Sequence, residues 1–212
     1  MKVKHVVLAL PAVYLGLSLD RLSSERFKPL LSLVDGMNQA APMLPAVNEG
    51  RFGRAGDPLN LIFVGTPRGV RAALTEAGWT EVPTSVRGAL ASGLLPMSGY
   101  RLIGRRQNMN WAIAARPFSE RHRFRLWRTG MADRDAREVW WGSANDDPDM
   151  DRERDLVVRT LAGSRFVQTT ALLRLPQIPT EGVDDGGRAY RTDGRAAVIA
   201  LKRSAPPGRS ER

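Results

Sequence analysis

Apolar residues in this chain fall into short runs of helical or alternating period, separated by glycine and proline. The first run has neither period. Val6 to Leu19 reads VVLALPAVYLGLSL, fourteen residues without a charge, behind the basic start Met1-Lys2-Val3-Lys4. A membrane-spanning helix needs about 20 apolar residues, so this run is short for a span. Its length suits the apolar region of a signal peptide, with Gly16-Leu17-Ser18 at a suitable cleavage spacing, and Pro11 would kink an anchoring helix. Residues 1–19 are therefore expected to be a signal peptide or short membrane anchor, with the basic end cytoplasmic and the remainder across the membrane. A buried N-terminal helix of a cytosolic protein is the alternative reading.

Further along, Leu22, Phe27, Leu30, Leu31 and Val34 stand near helical spacing within 20–35, interrupted by Pro29. Gly36 to Gly56 contains Pro42, Pro45, Gly50 and Gly53 and reads as a linker, so residues 20–56 form a helix and linker ahead of a domain over 57–203. In that domain Leu59 to Val64 is a β run ending at Gly65. Thr66-Pro67 is an N-cap with proline at the first helical position, where its missing N–H costs nothing. Val70, Ala73, Leu74 and Ala77 follow at i, i+3, i+4 and i+7, and Gly78 closes the helix. Val86 to Leu95 suggests another short helix. Tyr100–Arg105 and Trp111–Ala115 flank the polar Gln107-Asn108-Met109-Asn110 in a hairpin-like arrangement. His122–Arg128 alternates and pairs with Glu138–Ser143 across a charged turn. Asp147 is expected to cap a helix with Pro148 at its first position, its apolar stripe using Met150, Val157, Val158 and Leu161. Phe166–Leu175 is a strand, and Tyr190–Thr192 with Arg195–Lys202 suggests a hairpin turning at Asp193-Gly194. Residues 204–212 read as a disordered tail. This order predicts an α+β fold, a mixed or mainly antiparallel sheet with helices packed on one face.

Composition narrows the chemistry more than the shape. There is no cysteine, which excludes disulfides, thiolate zinc sites and cysteine nucleophiles. The net charge is +10, nearly all of the basic excess being arginine. That balance favours anionic partners, although arginine-rich composition also follows from a GC-rich genome. Aromatic residues are few and show no RNA-binding arrangement, so nucleic acid is not favoured as a partner.

Several segments together form a known pattern: DPLNLIFVG, ALTEAGW, YRLIGRRQN, RHRFRLWRTG, WWGSA, DPDMDRERD and YRTDGR. In this order they resemble the LssY C-terminal domain family over about Asp57 to Lys202. The resemblance implies a bacterial envelope protein, since the domain typically follows membrane portions resembling DedA transporters or PAP2-type lipid phosphatases. It implies no activity of the domain's own. The chain shows no multi-span region and no phosphatase histidine motif, so lipid-phosphatase activity does not carry over. Relatives also have a longer, histidine-containing segment ahead of the DPDMDRERD-like helix, which weakens any histidine metal site implied by the family.

Two charged constellations carry the candidate chemistry. A period of two places Arg121, Arg123, Arg125 and Trp127 on one strand face, and His122, Phe124 and Leu126 on the other. With Arg105 and Arg106 nearby, and Arg101, such a row could bind phosphates or carboxylates bidentately. A solvated face whose arginines pair with neighbouring acids is the bland alternative. The acidic stretch holds Asp147, Asp149, Asp151, Glu153 and Asp155, preceded by Asp146. Asp147, Asp149 and Asp151 have a calcium-loop spacing, but Arg152 replaces the loop glycine and Val158 the closing glutamate. Helix capping and ion pairing explain these acids, with metal binding or acid–base chemistry as the alternative. His122 is a possible acid or base. No metal site and no cofactor are implied.

Two functional readings follow. In the first, the chain is an envelope-associated binding module in the periplasm or tethered to the inner membrane, recognising an anionic lipid, a glycan or an envelope protein. In the second, it hydrolyses phosphate or glycosyl esters, the acidic helix start holding a metal or acting as acid and base and the arginine strand neutralising substrate charge. That requires the arginine face, His122 and Asp149 or Asp151 to meet in one cleft.

Overall fold

The structure, a computed structural model, describes residues 45–50, 53–83, 100–114, 121–133, 136–145 and 149–203, with only the backbone at Ala114 and Arg121. The expected leader, the helix over 20–35, the helix over 86–95 and the tail lie outside the described residues. In chain order the elements are β1 (Val47–Glu49), β2 (Ala55–Pro58), β3 (Leu61–Val64), α1 (Pro67–Glu76), β4 (Thr80–Glu81), β5 (Arg101–Leu102), β6 (Arg105–Arg106) and β7 (Met109–Ala114). Then come β8 (Arg121–Ala132), β9 (Glu138–Ala144), α2 (Met150–Leu161), β10 (Val167–Arg174), β11 (Glu181–Val183), β12 (Ala189–Arg191) and β13 (Arg195–Leu201).

A seven-stranded sheet in the order β10-β13-β3-β9-β8-β7-β4 is the frame. Its centre is β3, an unbroken LIFV run, as a strand covered on both faces requires. All four residues are buried. β13 lies parallel to it (Ala197 opposite Leu61) and β9 antiparallel (Gly142 opposite Leu61). Alternation then divides the apolar residues between two cores. Phe63, Phe124, Trp140 and Ile199 pack on one face with Leu74 of α1 and Leu161 of α2. Ile62, Trp127, Trp141 and Val198 pack on the other with Leu102, Leu175 and Ile178. Trp79 meets Phe124 edge-on, ring centroids 4.7 Å apart.

The expected α+β class is corrected here. The described residues are 48% strand and 18% helix, with two helices. α1 and α2 are roughly 15 and 18 Å long, while seven strands span about 29 Å. The helices add side chains to one core and do not form a layer. A four-stranded sheet, β2-β1-β5-β6, and a two-stranded one, β11-β12, complete a mainly β fold. Their strands have two to four residues, too few to show a period. β1 also falls within the stretch that reads as a linker.

Local readings fare unevenly. Thr66 caps α1, its hydroxyl accepting from the Gly69 N–H, and Gly78 ends it at φ 86°. β8 and β9 pair as the alternation predicts. α2 is capped by Asp149 and begins at Met150, two residues later than expected. Asp193-Gly194 does not turn a hairpin. β12 pairs with β11, and β13 with β10 and β3, so this dipeptide is a corner between two sheets. Nor do β5 and β7 form a hairpin. β5 pairs with β6, around Ile103-Gly104.

Asn60, buried just ahead of β3, ties β9 to α2. Its amide donates to the carbonyls of Ala144 (3.0 Å) and Met150 (3.1 Å), and its oxygen accepts from the Ala144 N–H (2.9 Å). Asn60→Ala leaves these buried groups unmade, and chemical denaturation is expected to show a loss of about 3 kcal/mol.

Candidate functional site

β8 directs Arg123, Arg125 and Trp127 toward the second core, as the alternation predicts, but that face is not open at Arg125 or Trp127. Arg125 is 8% exposed. Its Nη1 donates to Asn145 Oδ1 at 2.9 Å and to Asp57 Oδ2 at 3.4 Å, and the guanidinium lies 4.0 Å from the centroid of the Tyr100 ring. The Tyr100 hydroxyl donates to Asp185 (2.8 Å), and the Asp57 N–H donates to Asn48 Oδ1 (3.0 Å). Cross-strand neighbours of Arg125 are Asn110 and Ser143, both inaccessible. The Asn110 amide and the Ser143 hydroxyl have no hydrogen-bond partner among the described residues. Burial pushes the Asp57 carboxyl up, opposed by Arg125, and pushes the Tyr100 phenol up. Trp127 is buried opposite Trp141. Arg123 is half-buried, and only the backbone of Arg121 is described.

The acidic stretch is drawn into the start of α2. Asp149 caps the helix, accepting from the Asp151 and Arg152 N–H groups (both 3.2 Å). Asp151 accepts from the Thr192 hydroxyl (2.9 Å), the Asp193 N–H (2.8 Å) and Arg154 Nη1 (3.0 Å). Arg154, 2% exposed, also donates to Asp155 (2.9 Å) and Asp193 (2.8 Å), and so clasps α2 to the β12–β13 corner. Burial acts to raise the Asp193 carboxyl, but Arg154 and Arg195 pull it below its usual range. Glu153 is buried, with its two oxygens 2.8 and 3.0 Å from His122 Nδ1. Asp146 and Asp147 lie outside the described residues. A cleft of about 910 Å³ runs beside the helix start, lined by Asp149, Asp151, Glu181, Tyr190, Arg191 and Asp193 among others. Neither Arg125 nor His122 lines it. His122 shares its strand face with Phe124 and Leu126, on the first-core side of the sheet, and Arg125 is on the other. Among the described residues no group of three or more potential metal ligands occurs.

The remaining candidates, Arg105 and Arg106, are on the β5–β6 hairpin with Arg101, and all three are exposed. Arg101 sits directly opposite Arg106, and Leu102 opposite Arg105. Ile103 and Gly104 turn the hairpin at φ 50° and 70°, the pair of positive values a two-residue I′ loop requires. The Gly104 N–H donates to Glu49 Oε1 (3.0 Å), and Leu102 is buried beneath. No carboxylate pairs with Arg101, Arg105 or Arg106 among the described residues. A hollow of about 170 Å³ opens beside the turn, lined by Pro45, Leu102, Ile103, Arg105, Trp127 and Trp141 among others.

Residues 41–196 match the family model described as LssY C-terminus. The chain belongs to the LssY C-terminus family. No curated protein and no solved structure matches it. The LssY C-terminus match takes in the hairpin, the Arg125 cluster and α2. Within this LssY domain the sequence reading overlooked Asn48, Asp57, Asn110, Ser143 and Asn145 around Arg125. A signal was there: the alternation of β7 puts Asn110 between Met109 and Trp111 on the face opposite to theirs, opposite Arg125.

Arg125→Leu strips Asp57 of its buried cation, an effect of about 3–5 kcal/mol when one partner of such a pair is removed. The raised Asp57 group binds its proton more tightly in the folded state, so its contribution is most favourable below the ordinary value of 3.8 and worsens as pH rises through the folded value. The deficit of Arg125→Leu relative to wild type should therefore be smaller at pH 4 than at pH 7 in urea denaturation. Equal deficits would mean that the arginine acts by packing alone.

Proposed function

We propose that this domain is an envelope-associated binding module that recognises an anionic partner through Arg101, Arg105 and Arg106. The observation that carries this reading is the β5–β6 hairpin. Like charges directly opposed across an antiparallel pair are destabilising, yet Arg101 faces Arg106 on β6, with Glu49 of β1 on its other side and Arg105 on the opposite face of the hairpin. An anion laid across Arg101 and Arg106 reduces that repulsion and receives charge-assisted hydrogen bonds, and Arg105, on the face of Leu102, adds a cation at the same tip. Arg125, the centre of the arginine strand, belongs to the interior instead. Envelope location is supported by the apolar run Val6–Leu19 and by the membrane portions that the resemblance to the family implies. Among the described residues no helix is long and apolar enough to cross a membrane.

The hydrolase reading lacks comparable support. It needs the arginine face, His122 and Asp149 or Asp151 in one cleft, but Arg125 and His122 lie on opposite faces of the sheet and outside the cleft that Asp149 and Asp151 line.

Anionic lipid is the partner to test first. Each basic residue near an anionic surface contributes about 1 kcal/mol, so Arg101→Ala/Arg105→Ala/Arg106→Ala should weaken sedimentation with phosphatidylglycerol vesicles roughly 100-fold. Binding by wild type should also fall with added salt. Unchanged binding by the triple variant would sink the assignment of these arginines.

A further inference from the structure

We infer that the β5–β6 turn inserts into the surface of an anionic phospholipid bilayer, with Ile103 entering the boundary between headgroups and acyl chains and the three arginines engaging phosphates. This rests on the anion-binding reading above and commits it to a bilayer as the occupant. Ile103 is the most exposed large apolar side chain among the described residues, at 69%. It occupies a position where a β-branched residue is a conformational outlier and asparagine or glycine is the ordinary choice. An opposed arginine pair and a strained, exposed isoleucine lie within one six-residue hairpin. Glu49 of β1 stands opposite Arg101 and its carboxylate accepts from the Gly104 N–H, yet among the described residues no carboxylate forms an ion pair with the three arginines. A lipid surface would give the arginines phosphates to pair with and the exposed isoleucine side chain an apolar environment. An apolar tip ringed by arginine is the chemistry of an interfacial anchor, the aliphatic group buried and the cations at headgroup level.

The hollow beside the tip is floored by the buried side chains of Leu102, Trp127 and Trp141, so Ile103 itself is the exposed apolar group of the tip. Pro45, the first described residue, lines the same hollow.

The full chain has no cysteine, so Ile103→Cys offers a unique site for a polarity-sensitive fluorophore, with Thr75→Cys on α1 as the water-exposed control. With mixed phosphatidylglycerol–phosphatidylcholine vesicles, the probe at 103 should shift to the blue and be quenched by acyl-chain spin labels, and the probe at 75 should not. Ile103→Asn suits the turn, so it should fold with an unchanged or higher melting temperature and bind these vesicles about tenfold more weakly. If wild type sediments with the vesicles while the probe at 103 stays in water, insertion is wrong and the charge-based reading stands. If wild type binds soluble polyphosphate but not vesicles, the bilayer is wrong and anion binding stands. Binding to neither removes both.

Discussion

A strand buried on both faces sets the terms for its neighbours. Because β3 has no solvent on either side, β13 and β9 must also present apolar residues alternately to two cores, and they do, through Ala197 and Val198 and through Trp140 and Trp141. Two cores in turn need cover on two sides. α1 and α2 supply part of it on one, and short strands and loops carrying Leu102, Leu175 and Ile178 supply it on the other. The small sheets and the hairpin are the means by which the second core is closed.

Polar residues inside this frame are held by geometry that tolerates little change. Arg125 extends across a largely apolar face and is matched by Asp57, Asn145 and the face of Tyr100. Gly56 and Gly50 stand where a β-carbon would fall on Asn48 and Asp185, two members of the same cluster. The arginine richness that looks from composition like a single basic surface is therefore divided by function. Arg125 and Arg154 brace the interior, and the hairpin arginines face outward.

What could be read from the residues followed from how long each element is. α1, β3, β8 and β9 are long enough, or bounded clearly enough by Thr66, Pro67 and Gly78, for period and capping to identify them. β5 and β6 have two residues each, and their turn contains an isoleucine where turn chemistry predicts asparagine, so the hairpin was invisible. Asp193-Gly194 carried the correct turn residues and misled, because β13 is claimed by β10 and β3. The arginine row was placed on the correct face of β8, but one strand cannot reveal whether its face is wet. That depends on Leu102, Leu175 and Ile178, distant in sequence.

The parallel pairing of β3 with β13 has a consequence for biogenesis. Leu61 finds Ala197 only at the far end of the domain, so a nascent chain carrying β3 holds one edge of its most apolar strand open until the last strand has emerged. Such long-range closure is slow and leaves the growing polypeptide loose. For a chain threaded through a narrow translocation pore this delay is an advantage, because the pore passes only an unfolded segment; in an open compartment the same edge would call for a chaperone.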